Sequence, residues 1–464
     1  GQANYGRASS SSQPLDDNCP PKINQLRIIH TNDIHAHLDE FNSGGNDCKA
    51  SQILSNTCYG GIARIRTAVD TIRKQDKDVL FFDAGDQFQG TLFYTMFKGA
   101  KIAEFMNDIK YDLMCIGNHE FDDGEKVLYE FFQKLKFPVV SSNIDMNTTL
   151  YLHKIVQPYV VLEKYNIGVI GFITNLTRQT TRGAMNLTFY DPVGPVQRTV
   201  DILHKKGVRK IIAVSHNGYG DDIRVAANTY GINLIVGGHS HSLLLKNQSI
   251  SGVVGRYPTP VKNLRNDLTY IVQAHRWGDY LGNVLVKWND NEELVSVQGD
   301  PILLDQTVPK HNETAVKVAT WRRAFDGIGN EIIGQATSPF GFDCKGTNVC
   351  PLAELITDAM LEAHKALGAD LAMTNSGGIR AGFPSGNLTY QDAATILPFG
   401  DALVHLTMKG SEIMAMLEAS AAMKNQPDRG GGSVLTTARW SGLRCTVNMS
   451  APIFRRVSGV TVRN

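Results

Sequence analysis

Short apolar runs alternate with amphipathic stretches from Leu26 onward, and the two periodicities separate cleanly. Runs rich in β-branched and aromatic residues occur at LRIIH (26–30), DVLFFDAG (78–85), DLMCIGNH (112–119), FPVVSSN (137–143), IGVIGFI (167–173), KIIAVSH (210–216) and NLIVGGH (233–239). Between them lie stretches with apolar residues at helical spacing, such as IARIRTAVDTIRKQ (62–75) and GAKIAEFMNDIK (99–110). Strands alternating with helices predict an α/β fold, here a sheet-and-helix sandwich. Further alternating strands follow over 268–305, then a charged helical stretch around 310–330. From about residue 337 the pattern changes to a helix, PLAELITDAMLEAHKALG (351–368), a glycine turn, NSGGIR (375–380), and a second helix from Gly410. The expected organisation is a flexible polar lead-in (1–24), a catalytic domain (25–307), a helical connector (308–336) and a second, smaller α/β domain (337–464).

The composition narrows the class. A chain of 464 residues has room for two or three domains, and 46 basic against 45 acidic residues leave a net charge of +1. That balance excludes the basic surface of a dedicated nucleic-acid binder. No run of about 18 uncharged apolar residues occurs, so no membrane span is predicted. Seven cysteines are scattered without a CxxC pair, which argues against a thiolate metal site. Cys48 and Cys58, and Cys344 and Cys350, are close enough for loop disulfides, whereas Cys115 reads as a buried free thiol; Cys19 and Cys445 have no evident partner. Asn-x-Ser/Thr sites begin at Asn147, Asn175, Asn186, Asn247, Asn312, Asn387 and Asn448, and together with loop disulfides they predict a secreted, extracellular glycoprotein.

The chemistry gathers at strand ends. Asp33 and His35, Asp86, Asn118 and His119, His216, and His239 with His241 each follow or close a predicted strand. Open α/β sheets bind ligands at the carboxyl ends of their strands. Oxygen and imidazole donors without thiolates suit borderline divalent ions such as Zn²⁺ or Mn²⁺. Two such ions about 3.5–4 Å apart would clamp the attacking and leaving oxygens of an in-line displacement at phosphorus. Each piece alone has an ordinary structural explanation; the ordered set does not.

The segments HTNDIHAH (30–37), GDQFQG (85–90), GNHEFD (117–122), SHNG (215–218) and GGHSH (237–241) resemble the blocks of the calcineurin-like metallophosphoesterases. They are most similar to the secreted 5'-nucleotidases, which include ecto-5'-nucleotidases, bacterial UDP-sugar hydrolases and arthropod salivary apyrases. The resemblance implies that one ion is held by Asp33, His35, Asp86 and His241, and the other by Asp86, Asn118, His216 and His239. It implies a catalytic dyad of His119 and Asp122, and the spacing agrees, because a carboxylate three residues on can orient an imidazole. In the second domain it implies that Asn375, Gly378 and Arg380 of NSGGIR contact the substrate phosphate, and that Phe399 of LPFG (397–400) stacks on the base.

Two departures qualify the resemblance. Lys345 stands where the family has an arginine, giving a point charge without the fork. Family members continue into a segment with a second stacking aromatic and an NGGDG-like turn, whereas this chain ends at Thr461-Val462-Arg463-Asn464. The expectation is therefore an incomplete base sandwich, a second domain short of strands, no GPI signal, and a form not anchored to a membrane. The function expected is metal-dependent hydrolysis of extracellular nucleotides, apyrase-like toward ATP and ADP, with platelet inhibition as its consequence. The alternatives are a strict 5'-nucleotidase, and a non-catalytic binder of a ligand or of a platelet or vascular receptor.

Overall fold

The computed structural model describes residues 24–149, 151–184, 186–342, 350–423 and 437–462. Its first domain is two stacked sheets with helices on both outer faces. The larger sheet has eight strands, and its parallel centre runs in the order Gln25–Thr31, Val79–Asp83, Leu113–Cys115, Val139–Val140 and Val156–Gln157. Antiparallel Tyr280–Trp288 flanks Gln25–Thr31, with Leu294–Gly299 outside it. The second sheet has six strands, with Ile167–Ile173, Lys210–His216, Leu234–Gly237 and Leu268–Val272 in parallel.

Side-chain alternation decides how these layers meet. Successive residues of a strand point to opposite faces. Ile28, Leu80 and Phe82 accordingly join the core between the sheets, whereas Ile29 and Phe81 join the core under helices Ile62–Gln75, Gly99–Ile109 and Gly124–Phe132. The second sheet is covered on its far side by Val193–Lys205 and Tyr219–Ala227. Strands buried on both faces read as unbroken apolar runs, which is why IGVIGFI carries no polar residue and KIIAVSH is apolar from Ile211 to Val214.

Two strands fall furthest short of their runs. The run at 112–119 pairs only over Leu113–Cys115, because the chain leaves the sheet to form the 3₁₀ turn His119–Phe121. The run at 137–143 pairs only over Val139–Val140; beyond it Ser142 N donates to Gly171 O of the other sheet at 2.7 Å. Both early exits occur at carboxyl ends, where the candidate ligands stand.

Helices Asn312–Arg322 and Asp326–Gly329 lead into the second domain. There, helix Pro351–His364 packs beside the strand pair Ala372–Asn375 with Ala438–Ser441, and two further pairs form from Ile332–Ala336 with Gly386–Thr389 and from Leu443–Val447 with Val457–Val462. Its core contains Leu352, Ala353, Ile356, Ile379, Ala381 and Ile396. Polar contacts dock it on the first domain: Gly382 N donates to Gly44 O at 3.0 Å, Lys49 lies 3.5 Å from Asp392, and Arg322 of the connector links Asp39 and Asp47 to Gln391. Cys48 is bonded to Cys58, Cys350 is disulfide-bonded, and Cys115 is a buried free thiol. Cys19, Cys344, Lys345 and the lead-in up to residue 23 lie outside the described residues.

Phe82 is fully buried between the sheets. Phe82→Ala should destabilise the first domain by about 3–5 kcal/mol, read from urea unfolding. A loss under about 1 kcal/mol would mean that the two sheets do not share this core.

Candidate metal centre

The carboxyl ends of both sheets converge on one buried cluster. Asp33, His35 and His241 bring three ligand atoms within 4.8 Å of one another, and Asp86, His216 and His239 do the same. The two groups adjoin. Asp86 Oδ2 lies 3.1 Å from His216 Nε2 and 3.8 Å from His35 Nε2, while Asp33 Oδ1 lies 3.2 Å from His241 Nε2 and 4.0 Å from His216 Nε2. Asp86 thus reaches ligands of both groups. Asn118 precedes His119, whose backbone N donates to Asp86 Oδ1 at 2.9 Å.

The turns carrying these side chains adopt backbone that residues other than glycine rarely enter. Asp33, His35, Asp86, His239 and His241 all have φ between 48° and 74°. Each such residue costs on the order of 1–2 kcal/mol, and strain of this kind persists only where the surroundings enforce it. The enforcement is visible in hydrogen bonds. Asp33 Oδ2 accepts from Asn32 Nδ2 at 2.8 Å and from His239 N at 2.9 Å. Asn32 in turn holds Ala274 N and His275 O. Gln273 holds Gly238 O and Ser242 N, on either side of His239 and His241.

The donor chemistry fits divalent cations. His35 Nδ1 bonds Phe88 O at 2.9 Å and His216 Nδ1 bonds Ala84 O at 2.6 Å, which in each case leaves Nε2 to ligate. His35 Nε2 and His241 Nε2 stand 3.1 Å apart, a distance at which two lone pairs repel unless a cation or proton lies between them. Asn118 Oδ1 is buried without a hydrogen-bond partner, and His216 Nε2 faces Asp86 Oδ2 3.1 Å away. Burial holds His35 well below its ordinary range, with Arg380 adding to the effect, and it pushes His239 down to about 3. His216 goes the other way: burial opposes its charge, but Asp86 and Asp33 outweigh it and lift the imidazole to about 10. Burial raises Asp33, whereas His216, His119 and His35 overcome the same effect at Asp86 and hold it well below the usual carboxylate range.

The second domain reaches this cluster. His119 Nδ1 lies 2.8 Å from Asp122 Oδ2, and the same oxygen accepts from Gln89 Nε2 at 2.9 Å. Phe399 stacks on His119 with centroids 5.2 Å apart and planes 19° from parallel, and Arg380 lies 5.5 Å from the Phe399 centroid. Arg380 NH2 stands 3.1 Å from His35 Nε2. Asn375 and Gly378 lie together in the same turn, where a Cβ on Gly378 would come within 3.1 Å of Asn375 Oδ1. The sequence reading did not single out Asn32, Gln89 or Gln273. Gln89 sits inside GDQFQG, but an amide is a common turn residue, and only the fold shows it against Asp122.

A chain stripped by chelation and then titrated should bind two divalent ions, and Asp86→Ala should bind one or none, counted by elemental analysis. Two ions retained by the variant would contradict the shared position of Asp86.

The comparisons with known proteins agree with this geometry. Residues 26–243 match the family model of the calcineurin-like phosphoesterases, and residues 332–464 match that of the 5'-nucleotidase C-terminal domain. Human 5'-nucleotidase is 32% identical over 415 residues, covering 85% of this chain and 72% of the relative. The snake venom 5'-nucleotidase of Naja atra is 30% identical over 458 residues, covering 94% and 84%. The crystal structure of a 5'-nucleotidase precursor from Thermus thermophilus superposes with a TM-score of 0.86 at 33% identity, covering 95% of this chain and 85% of that one. Two buried ligand clusters on a calcineurin-like phosphoesterase domain, joined to a matching C-terminal domain, make this chain a member of the 5'-nucleotidase family and a hydrolase dependent on two divalent metal ions.

Proposed function

We propose that this chain is a 5'-nucleotidase in the strict sense, releasing phosphate from nucleoside 5'-monophosphates such as AMP. The observation that carries the reading is the short span between Arg380 at His35 and Phe399 on His119, with Arg380 only 5.5 Å from the Phe399 ring. A phosphate gripped by Arg380 sits at the ligand cluster, and a base stacked on Phe399 is separated from it by little more than a ribose. In a monophosphate the reacting phosphorus is the one joined to the ribose. In ADP or ATP the terminal phosphorus is one or two phosphates further out. The names of the human and cobra relatives, both 5'-nucleotidases, support this reading over the apyrase.

In this reading Asp33, His35, Asp86 and His241 would hold one ion, and Asp86, Asn118, His216 and His239 would hold the other. When bound the ions supply Lewis acidity to the phosphoryl group and activate water, and the imidazole and carboxylate donors suit Zn²⁺ or Mn²⁺. His119 donates Nδ1–H to Asp122, which Gln89 holds in place. Burial alone would lower the His119 imidazole, but Asp122 and Asp86 outweigh it and raise it, so the ring keeps a proton for a phosphoryl or leaving oxygen. Arg380 and Asn375 orient the phosphate, Gly378 keeps their turn open, and Phe399 carries the base. Lys345 belongs to the same group by sequence.

We also infer that the enzyme is secreted and glycosylated. All seven sequon asparagines, Asn147, Asn175, Asn186, Asn247, Asn312, Asn387 and Asn448, are exposed. The buried asparagines, among them Asn32, Asn42, Asn118 and Asn143, all lie outside sequons. The Cys48–Cys58 disulfide supports an oxidising compartment. Among the described residues no helix is long and apolar enough to cross a membrane.

With Zn²⁺ or Mn²⁺ restored after chelation, phosphate release from AMP should exceed that from ADP or ATP at least tenfold. Comparable turnover of ADP would favour the apyrase, and with it an effect on platelets; no release from any nucleotide would favour the ligand-binding reading. His119→Ala should lower kcat by about 10²–10⁴-fold while bound metal stays unchanged. Expressed through a secretory pathway, the chain should lose apparent mass on N-glycosidase digestion, and Asn247→Gln should remove one step of that shift. An unchanged mass would exclude the glycoprotein.

A further inference from the structure

One residue of GNHEFD has no part in the reading above, yet it is bonded to more of the centre than any side chain in it. Glu120 is completely buried in the 3₁₀ turn His119–Phe121. Its Oε1 accepts from Gln87 N at 2.7 Å and Phe88 N at 3.1 Å, and its Oε2 accepts from Asp86 N at 2.9 Å and Gly117 N at 2.7 Å. The bond to Gly117 is a local turn cap of a common kind. The other three reach a segment more than thirty residues earlier in the chain.

The same peptide units pass the constraint onward. The carbonyls of Asp86 and Gln87 accept from His35 N at 3.0 Å and Ala36 N at 2.9 Å, and Phe88 O bonds His35 Nδ1 at 2.9 Å. The 86–88 turn therefore has its N–H groups on Glu120 and its C=O groups on the His35 turn. Chains of this kind strengthen one another in a low-dielectric interior. A Cβ on Gly117 would come within 2.3 Å of Asp86 Oδ1 and 2.7 Å of Glu120 Oε2, so the two turns interlock with no slack between them.

We propose that Glu120 is the positioning residue of the metal centre: its carboxylate sets the 86–88 turn and, through it, the places of Asp86 and His35. It does so without itself contacting an ion or the substrate. A carboxylate is the side chain that four N–H donors require. In glutamine either orientation of the amide turns an NH₂ against two backbone N–H groups. Glu120→Gln keeps the volume and removes the fit.

The inference rests on the two-ion reading, and the wild-type chain is the control that separates them. Wild-type protein that binds no divalent ion fails that reading; wild-type binding matched by the variant fails this proposal alone. Chelator competition on the full chain should show Glu120→Gln losing about 10–100-fold in Zn²⁺ affinity, the size of effect typical when a ligand's supporting partner is removed. The rise in Tm on adding Zn²⁺ to chelated protein should shrink accordingly. Glu120→Asp, which keeps the charge with a shorter reach, should fall between the two, and it serves as the test if the glutamine variant does not fold. A purely structural role predicts a lower Tm with and without Zn²⁺ and an unchanged affinity; that outcome overturns the proposal. Failure of both variants to fold overturns it as well, and assigns Glu120 to folding.

Discussion

Two carboxylates buried almost side by side set the terms for the rest of this molecule. Asp33 and Asp86 follow neighbouring parallel strands, and both are shielded from water. Charge taken out of water is expensive, and like charges sharing a site make it more so. The surroundings answer with cation-seeking geometry: His35 and His216 each have one nitrogen tied to a backbone carbonyl and the other turned inward. Such an arrangement is unfavourable as a protein interior and favourable as a cage for divalent ions. The left-handed backbone at five of the ligands belongs to the same bargain, since it aims short side chains at a common point.

The second domain brings a positive charge to these carboxylates. Arg380 brings a guanidinium to His35, and Phe399 lays an apolar face over His119. Neither domain holds a complete site. The metal-ligand clusters belong to the sandwich, and Arg380 and Phe399, proposed to meet the substrate, belong to the smaller domain, held to it by polar contacts around Arg322, Lys49 and Gly382. A polar junction of this kind is compatible with relative movement in turnover.

Much of the fold was legible where period and burial agree. Helix Ile62–Gln75 and strands Ile167–Ile173 and Lys210–His216 match their runs end to end, because nothing tertiary interrupts them. The runs at 112–119 and 137–143 each contain a strand but overstate its length, because the chain leaves the sheet to serve the site and the opposite sheet. Asn32, Gln89, Glu120 and Gln273 escaped notice for a related reason. Amides and carboxylates in turns are common, and their importance lies wholly in partners distant along the chain.

By itself the sequence determined the α/β class, the first-domain elements and the kinds of donor atom at the strand ends. Hydrophobic period is a local property, and a donor's chemistry belongs to its side chain wherever it lies. Packing brings Asp33, His35 and His241 to Asp86, His216 and His239, ties two distant turns together through Glu120, and closes Arg380 and Phe399 over the result. Those relations are distances between residues as much as 345 positions apart, and they exist only once two sheets and a second domain have packed.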